Sequence, residues 1–360
     1  MNVLDLHAAL VRFPSLSREE REIADYVEAW ARGVDGLAVG RHDDNVWASL
    51  GDGDDLLLLA SHLDVVPPSA DQEAPFEPRQ VDGRVYGRGS VDAKASGAAM
   101  LTALADLARA GWRPAAGRLV VALTACEETG RGYNGMETLR REVFGRALPE
   151  VSAALVGEPT ELRPCLAQKG LLILTATAHG QTAHAARAHL GDNALTRAAR
   201  DLVAVEALAF DKADPLLGRP TATATRIEGG TANNVVPDRC RFTLDVRSTP
   251  AYTHAELAAL LDATLESDVE VYSDRIVPCA TDAGARIAQA TTAALGDLGR
   301  DAEPFGSPTA SDWIFLHDVP AVKIGPGRSE LSHTANEHVE VRQLRAAVDV
   351  YAGVARRYFG

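Results

Sequence analysis

The stretch 54–64, DDLLLLASHLD, runs from two aspartates through four consecutive leucines to a histidine and a final aspartate. An unbroken apolar run of this length between polar ends reads as a strand buried on both faces, the kind found inside a parallel sheet. Two further β-rich runs follow, RLVVALTA at 118–125 and SAALVGE at 152–158, each leading into acidic residues, and VPAVKIG at 319–325 adds a late strand. Amphipathic segments separate them. AKASGAAMLTALADLARA at 93–110 reads as a helix stopped by Gly111, and LRAAVDVYAGVARRY at 344–358 as a closing helix. Ser17 and Glu20 have capping-box spacing before REIADYVEAWA (21–31), and Gly33 follows that helix. This alternation is the rhythm of an α/β sheet, which holds its ligands at the carboxyl ends of the strands.

From Gly170 the pattern changes. LLILTATAHG (171–180), TATATRIEGG (221–230) and RCRFTLDVRS (239–248) alternate like half-exposed antiparallel strands, with helical segments near 193–208 and 254–266. The expected organisation is therefore an α/β domain in two parts, residues 1–167 and 280–360, interrupted by a smaller α+β domain at 168–279. No internal repeat or low-complexity tail is visible.

Composition narrows the function. The 360 residues are 46% hydrophobic and 24% charged, the balance of a globular enzyme, and the formal charge is -14. Such a surface repels phosphate backbones and anionic lipid, so neither nucleic acid nor a membrane is an expected partner. No apolar run approaches the roughly 18 residues of a membrane span. Asp5 and His7 stand where a secretory signal needs basic and apolar residues. The four cysteines (Cys126, Cys165, Cys240, Cys279) are far apart, without CxxC spacing, which excludes a cysteine zinc site and fits a reducing cytoplasm.

Several polar residues stand out against these runs. His62 and Asp64 close the first strand as HLD. In extended backbone, residues two apart face the same side, so Asp64 can hold one imidazole nitrogen and leave the other free for a metal. Asp92 lies in the Gly-rich loop YGRGSVDAKASG (86–97), where a helix cap is the bland alternative. Glu127 and Glu128 follow the second strand, Glu158 the third, and His333 lies in SELSHTANEH (329–338) after the last. Each alone fits a surface pair, a cap or a solvated turn. Together they are too many like charges for one sheet edge unless cations neutralise them. Imidazole and carboxylate donors suit zinc, with cobalt or manganese less exclusively, and five such donors can hold two metals if one carboxylate bridges.

In order, SHLDVVP, GRGSVDAK, ACEETG, VGEPT and SHTANEH resemble the di-zinc aminoacylase/carboxypeptidase metallohydrolases, a group that includes acetylornithine deacetylase, succinyl-diaminopimelate desuccinylase and dipeptidases. The resemblance covers nearly the whole chain and implies a zinc aminopeptidase-like α/β sandwich with an inserted lid and dimerisation domain. It implies that Asp92 bridges two Zn2+ ions, that His62 and Glu158 complete one site, and that Glu128 and His333 complete the other. Asp64 would orient His62, Glu127 would be the general base, and the Asp92–Ala93 peptide would be cis. Relatives often carry glycine where this chain has Ala95, a departure that touches no ligand.

For the inserted domain the resemblance implies that His184 helps stabilise the oxyanion, often across a dimer interface, and that Asn234 approaches the substrate. His179 and His189 are expected to be structural or exposed. Arg247 in DVRSTP offers a planar fork for an α-carboxylate. The chain has only four lysines, and Lys94, Lys169 and Lys323 fall within or beside the motif segments. The overall pattern most resembles acetylornithine deacetylase-like proteins, which implies a homodimer hydrolysing N-acetylornithine, with Asp312 in TASDW as a partner for the δ-ammonium. The alternatives are deacylases of acetylcitrulline, succinylornithine or N-acyl-lysine and dipeptidases of the same family. A binding module that lost its chemistry is disfavoured by the complete ligand set, an amidohydrolase barrel by HxD in place of HxH, and a Rossmann oxidoreductase by the spacing of Gly87, Gly89 and Gly97.

Overall fold

The computed structural model describes residues 1–129 and 132–360; Gly130, the last residue of the ACEETG motif, lies outside them. The chain forms two compact units, one of residues 1–166, 281–305 and 311–360, the other of residues 167–280 and 306–310.

In the first unit the strand Asp55–His62 lies at the centre of a mixed sheet, parallel to Gly117–Thr124 on one side and to Val151–Val156 on the other. Ala321–Lys323 extends the parallel set beyond Val151–Val156. Asn45–Gly51 and Ala38–His42 add antiparallel strands at the opposite side. The register aligns His62 with Thr124, Ala60 with Val156, and Val156 with Lys323, so four strands end at one carboxyl edge. The four leucines 56–59 are all buried, as a strand covered on both faces requires. The helices Val3–Val11, Arg21–Arg32, Lys94–Arg109, Arg286–Asp297 and Val341–Phe359 contribute to the same core. A separate small sheet orders His338–Glu340, Arg84–Tyr86 and Arg79–Val81. Among the described residues no helix is long and apolar enough to cross a membrane, and all four cysteines are free and buried.

The capping-box expectation is corrected here. The N-cap of Arg21–Arg32 is Glu20, and it makes no side-chain cap. Ser17 instead donates its hydroxyl to Asp64 Oδ2 at 2.7 Å, and Glu20 accepts the Cys126 amide at 2.9 Å. Gly33 does follow the helix as its C-cap.

The second unit is a four-stranded antiparallel sheet in the order Thr221–Gly229, Arg239–Ser248, Gly170–His179, Asp268–Ile276. Alternate residues Leu172, Leu174 and Ala176, with Phe242, Leu244 and Val246, are buried in one core with residues of the helices Ala194–Ala207 and His254–Thr264. Gly306–Ala310 belongs to this unit, outside the expected span 168–279. A Cβ on Gly306 would lie 2.6 Å from the Leu216 carbonyl, and the Lys169 amide donates to Ser307 at 3.0 Å.

His7 links the first helix to the loop before Asp92. It is fully buried, with Nε2 2.9 Å from the Ser90 carbonyl. Burial pushes its imidazole down to about 4, against the opposing pull of that carbonyl. The folded state thus resists protonation while the unfolded state takes a proton near pH 6.5, so stability falls with pH from about 6.5 to 4. The shift corresponds to about 3 kcal/mol. In urea unfolding across this range His7→Gln should lose less stability toward acid than the wild type does, by up to about 3 kcal/mol; equal slopes in both proteins would contradict the assignment.

Candidate metal centre

The parallel register delivers the site. His62 is the last residue of its strand, Glu158 lies two residues past Val156, and Glu127 and Glu128 lie three and four past Thr124. His62 Nδ1 is 2.9 Å from the main-chain carbonyl of Asp64 and 3.4 Å from its carboxylate. With Nδ1 turned to that carbonyl, Nε2 faces the cluster and is the atom available to a metal. Nε2 is 3.2 Å from Asp92 Oδ1 and 3.9 Å from Glu158 Oε1.

Asp92 does not cap the helix that follows it; Ala93 is the N-cap, without a side-chain bond, and the Asp92–Ala93 peptide is cis. Its carboxylate is free for the cluster. Oδ1 faces His62, while Oδ2 lies 3.5 Å from His333 Nε2, which is 2.8 Å from Glu128 Oε1. Two donor triads result, His62–Asp92–Glu158 and Asp92–Glu128–His333, each with its atoms within 4.8 Å of one another and both using Asp92. Glu127 enters a third, with His62 and Glu128.

A family model described as Peptidase family M20/M25/M40 matches residues 58–357. The chain belongs to peptidase family M20/M25/M40. The succinyl-diaminopimelate desuccinylase of Rhodospirillum centenum is 31% identical over 97% of this chain and 95% of its own. That of Parvibaculum lavamentivorans is 29% identical over 99% and 95%. Among solved structures, aminopeptidase PepT from Bacillus cereus has the same fold, with a TM-score of 0.83 and 22% identity over 99% of this chain and 98% of that one. As a member of this M20 family the chain is a metal-dependent hydrolase of amides. The two relatives named here are desuccinylases, and the narrower likeness to acetylornithine deacetylase gives way to the family as a whole.

The electrostatics of this M20 site are those of acids without enough cations. Burial raises the Glu158 carboxyl to about 8, helped by the charge of Asp92 and opposed by His62 and Lys323. Burial also raises Glu127 well above its ordinary value; His62 opposes the rise, and the charges of Glu158, Asp312 and Glu128 reinforce it. Burial would lower His62, yet its bonds to Asp64 and Asp92 hold it well above the usual histidine range. Five oxygen and nitrogen donors, one of them a carboxylate shared by both triads, fit two divalent ions.

Asp64 does more than orient His62. Its two oxygens accept the amides of Glu127 (3.1 Å) and Glu128 (3.0 Å), so the residue ties His62, through its main-chain carbonyl, to the acidic pair, through its carboxylate. The turn before them places Cys126 at φ 59°, a left-handed conformation that a non-glycine residue adopts only under local constraint. Asn134, which caps the helix Gly135–Glu142, donates to the Cys126 carbonyl at 3.4 Å and to Asp312 Oδ1 at 2.8 Å.

The expected role of Asp312 needs correction. The residue is buried, and its oxygens take the Asn134 amide and, at 3.1 Å, the Thr124 hydroxyl. It braces the sheet edge and has little surface to offer an ammonium. Arg247 already grips a carboxylate, Asp245 two residues earlier on its own strand, at 2.8 and 3.1 Å. His184 is exposed, accepts the Ala186 amide at Nδ1 and pairs with Val235 across a two-residue ladder; the neighbouring Asn234 carbonyl takes the Ala185 amide. His189 is exposed as well, and His179 lies 3.4 Å from Asp268. The contacts of Ser17 and Glu20, read from their spacing as a capping box, and of Asn134 are not visible in sequence, because their partners lie 47, 106 and 178 residues away.

Proposed function

We propose that the protein cleaves the amide of an N-acyl diamino acid with two divalent ions, zinc first and cobalt or manganese as alternatives. The carrying observation is that the two oxygens of Asp92 face His62 and His333 separately. His62 and Glu158 would hold one ion with Asp92, and Glu128 and His333 the other. Bound there, the ions would supply Lewis-acid activation of water and of the acyl carbonyl.

Glu127 takes a proton from the attacking water as its oxygen bonds to the acyl carbon. It passes that proton to the amine nitrogen as the C–N bond breaks, leaving a carboxylic acid and an amine, which exchange the second water proton to end as carboxylate and ammonium. Asp64 holds the Glu127 backbone for this transfer. His184 is assigned to the oxyanion and Asn234 to the substrate. Arg247 is assigned to a substrate carboxylate, which would have to compete with Asp245. The proposed assembly is a homodimer through residues 168–279.

N-Succinyl-diaminopimelate is the first-choice substrate, supported by full-length similarity to two desuccinylases. N-Acetylornithine, which the motif pattern favours, ranks second, because both relatives named above are desuccinylases. Zinc-loaded turnover of N-succinyl-diaminopimelate, N-acetylornithine, N-acetylcitrulline, N-succinylornithine and dipeptides, side by side, tests both. We expect kcat/KM for the succinyl diamino acid to exceed that for N-acetylornithine at least tenfold. A reversed ratio restores N-acetylornithine, and turnover of dipeptides alone removes the deacylase reading.

A further inference from the structure

Arg88 and Glu337 form an ion pair sealed inside the first unit, with each side chain 1% exposed and Nη1 2.5 Å from Oε2. The other carboxylate oxygen, Oε1, accepts the amides of Val91 (3.1 Å) and Asp92 (3.2 Å), while Arg88 Nη2 reaches the His333 carbonyl at 3.5 Å. One pair therefore holds the main chain of two candidate ligands that are 241 residues apart in sequence.

The topology makes this junction specific. The loop carrying Asp92 leaves the strand Arg84–Tyr86, and the loop carrying His333 enters His338–Glu340; these strands pair antiparallel, Tyr86 opposite His338. The main chain reinforces the junction, with the Gly87 amide donating to the Glu337 carbonyl at 3.2 Å. His62, by contrast, ends a strand of the large sheet, and Glu158 follows the neighbouring one. The spacing of Asp92 from His333 is thus set by the small sheet and the buried pair, and that of Asp92 from His62 depends also on the large sheet.

Stability alone does not account for the pair. A buried ion pair is often no better than apolar residues of the same volume, and here Arg88 Nε is buried without a partner among the described residues. We infer that Arg88 and Glu337 are positioning residues that set the Asp92–His333 gap, and with it the affinity of the Asp92–Glu128–His333 metal position in preference to the other. This rests on the two-metal reading above.

Zinc titration of the metal-stripped full chain, with the bound ions counted by elemental analysis, tests it. The wild type should bind two ions. Glu337→Gln keeps an acceptor for the two amides but removes the charge facing Arg88. It should bind one ion at wild-type affinity and the other about 10–100-fold more weakly, the range seen when the partners of metal ligands are changed. The double variant Arg88→Met with Glu337→Gln leaves no unpaired charge, keeps an acceptor for the Val91 and Asp92 amides and guards against misfolding; it should fold cooperatively without metal and show the same selective loss. If either folded variant binds both ions as the wild type does, or weakens both equally, the inference is overturned. If the wild type itself takes fewer than two ions, the two-metal reading fails first and this inference goes with it.

Discussion

Glu127→Gln is expected to keep both metal ions and lose three to four orders of magnitude in kcat, near the upper end of what one acid–base group contributes. The geometry separates Glu127 from its neighbour. Glu128 Oε1 is 2.8 Å from His333 Nε2, within a triad that includes Asp92, so the proposal places it with the ligands. The two triads that share Asp92 use His62, Glu158, Glu128 and His333 and leave Glu127 out. Glutamine preserves shape and hydrogen bonding while removing the capacity to carry a proton at neutral pH, so KM should change little. Glu128→Gln should behave differently and release one ion. Metal analysis beside steady-state kinetics decides: an ion lost from Glu127→Gln would make Glu127 a ligand, and wild-type turnover with both ions bound would move the base elsewhere.

What could be read in the chain and what could not divide along physical lines. The buried strands were legible because four leucines in a row have few other uses, and the donor set because so many acids at strand ends call for a counter-charge. The second unit was legible from the alternation of Leu172, Leu174, Ala176 and Ala178 with less buried neighbours, Thr175 excepted. The misreadings came where a local pattern competed with a distant partner. Ser17 and Glu20 have the spacing of a capping box, yet their acceptor and donor lie on other loops. Arg247 offered a hint that went unused, since Asp245 two places earlier shares its face of the strand. The HLD reading placed Asp64 on the strand with His62, but the strand ends at His62 and the nearest acceptor is the Asp64 main-chain carbonyl. Arg88 and Glu337 stood inside motif segments with no role assigned, because nothing in either segment says that they meet.

Asp64→Asn tests how much of the site one carboxylate carries. Asp64 is fully buried, and its oxygens accept from Glu127 N, Glu128 N and Ser17 Oγ, with His62 Nδ1 3.4 Å away. An asparagine cannot reproduce this in either orientation. If its NH2 replaces Oδ1 it meets the Glu127 amide donor to donor, and if it replaces Oδ2 it meets the Glu128 amide. The Ser17 hydroxyl can rotate to accept, but a main-chain amide cannot. One buried donor is left unsatisfied, which costs about 1–3 kcal/mol of stability. The functional loss should be larger than that figure suggests, because the same defect loosens Glu127 and Glu128 and removes the charge beside His62. We expect kcat to fall about 100–1,000-fold and zinc affinity at the His62 position to drop about 10–100-fold. Ser17→Ala removes a donor and leaves the carboxylate bonded to both amides, so it should lower kcat less than tenfold. Thermal melts, zinc titration and kinetics on the two variants separate these outcomes. If Asp64→Asn matched Ser17→Ala in all three, the amides of Glu127 and Glu128 would have to be held by something other than Asp64.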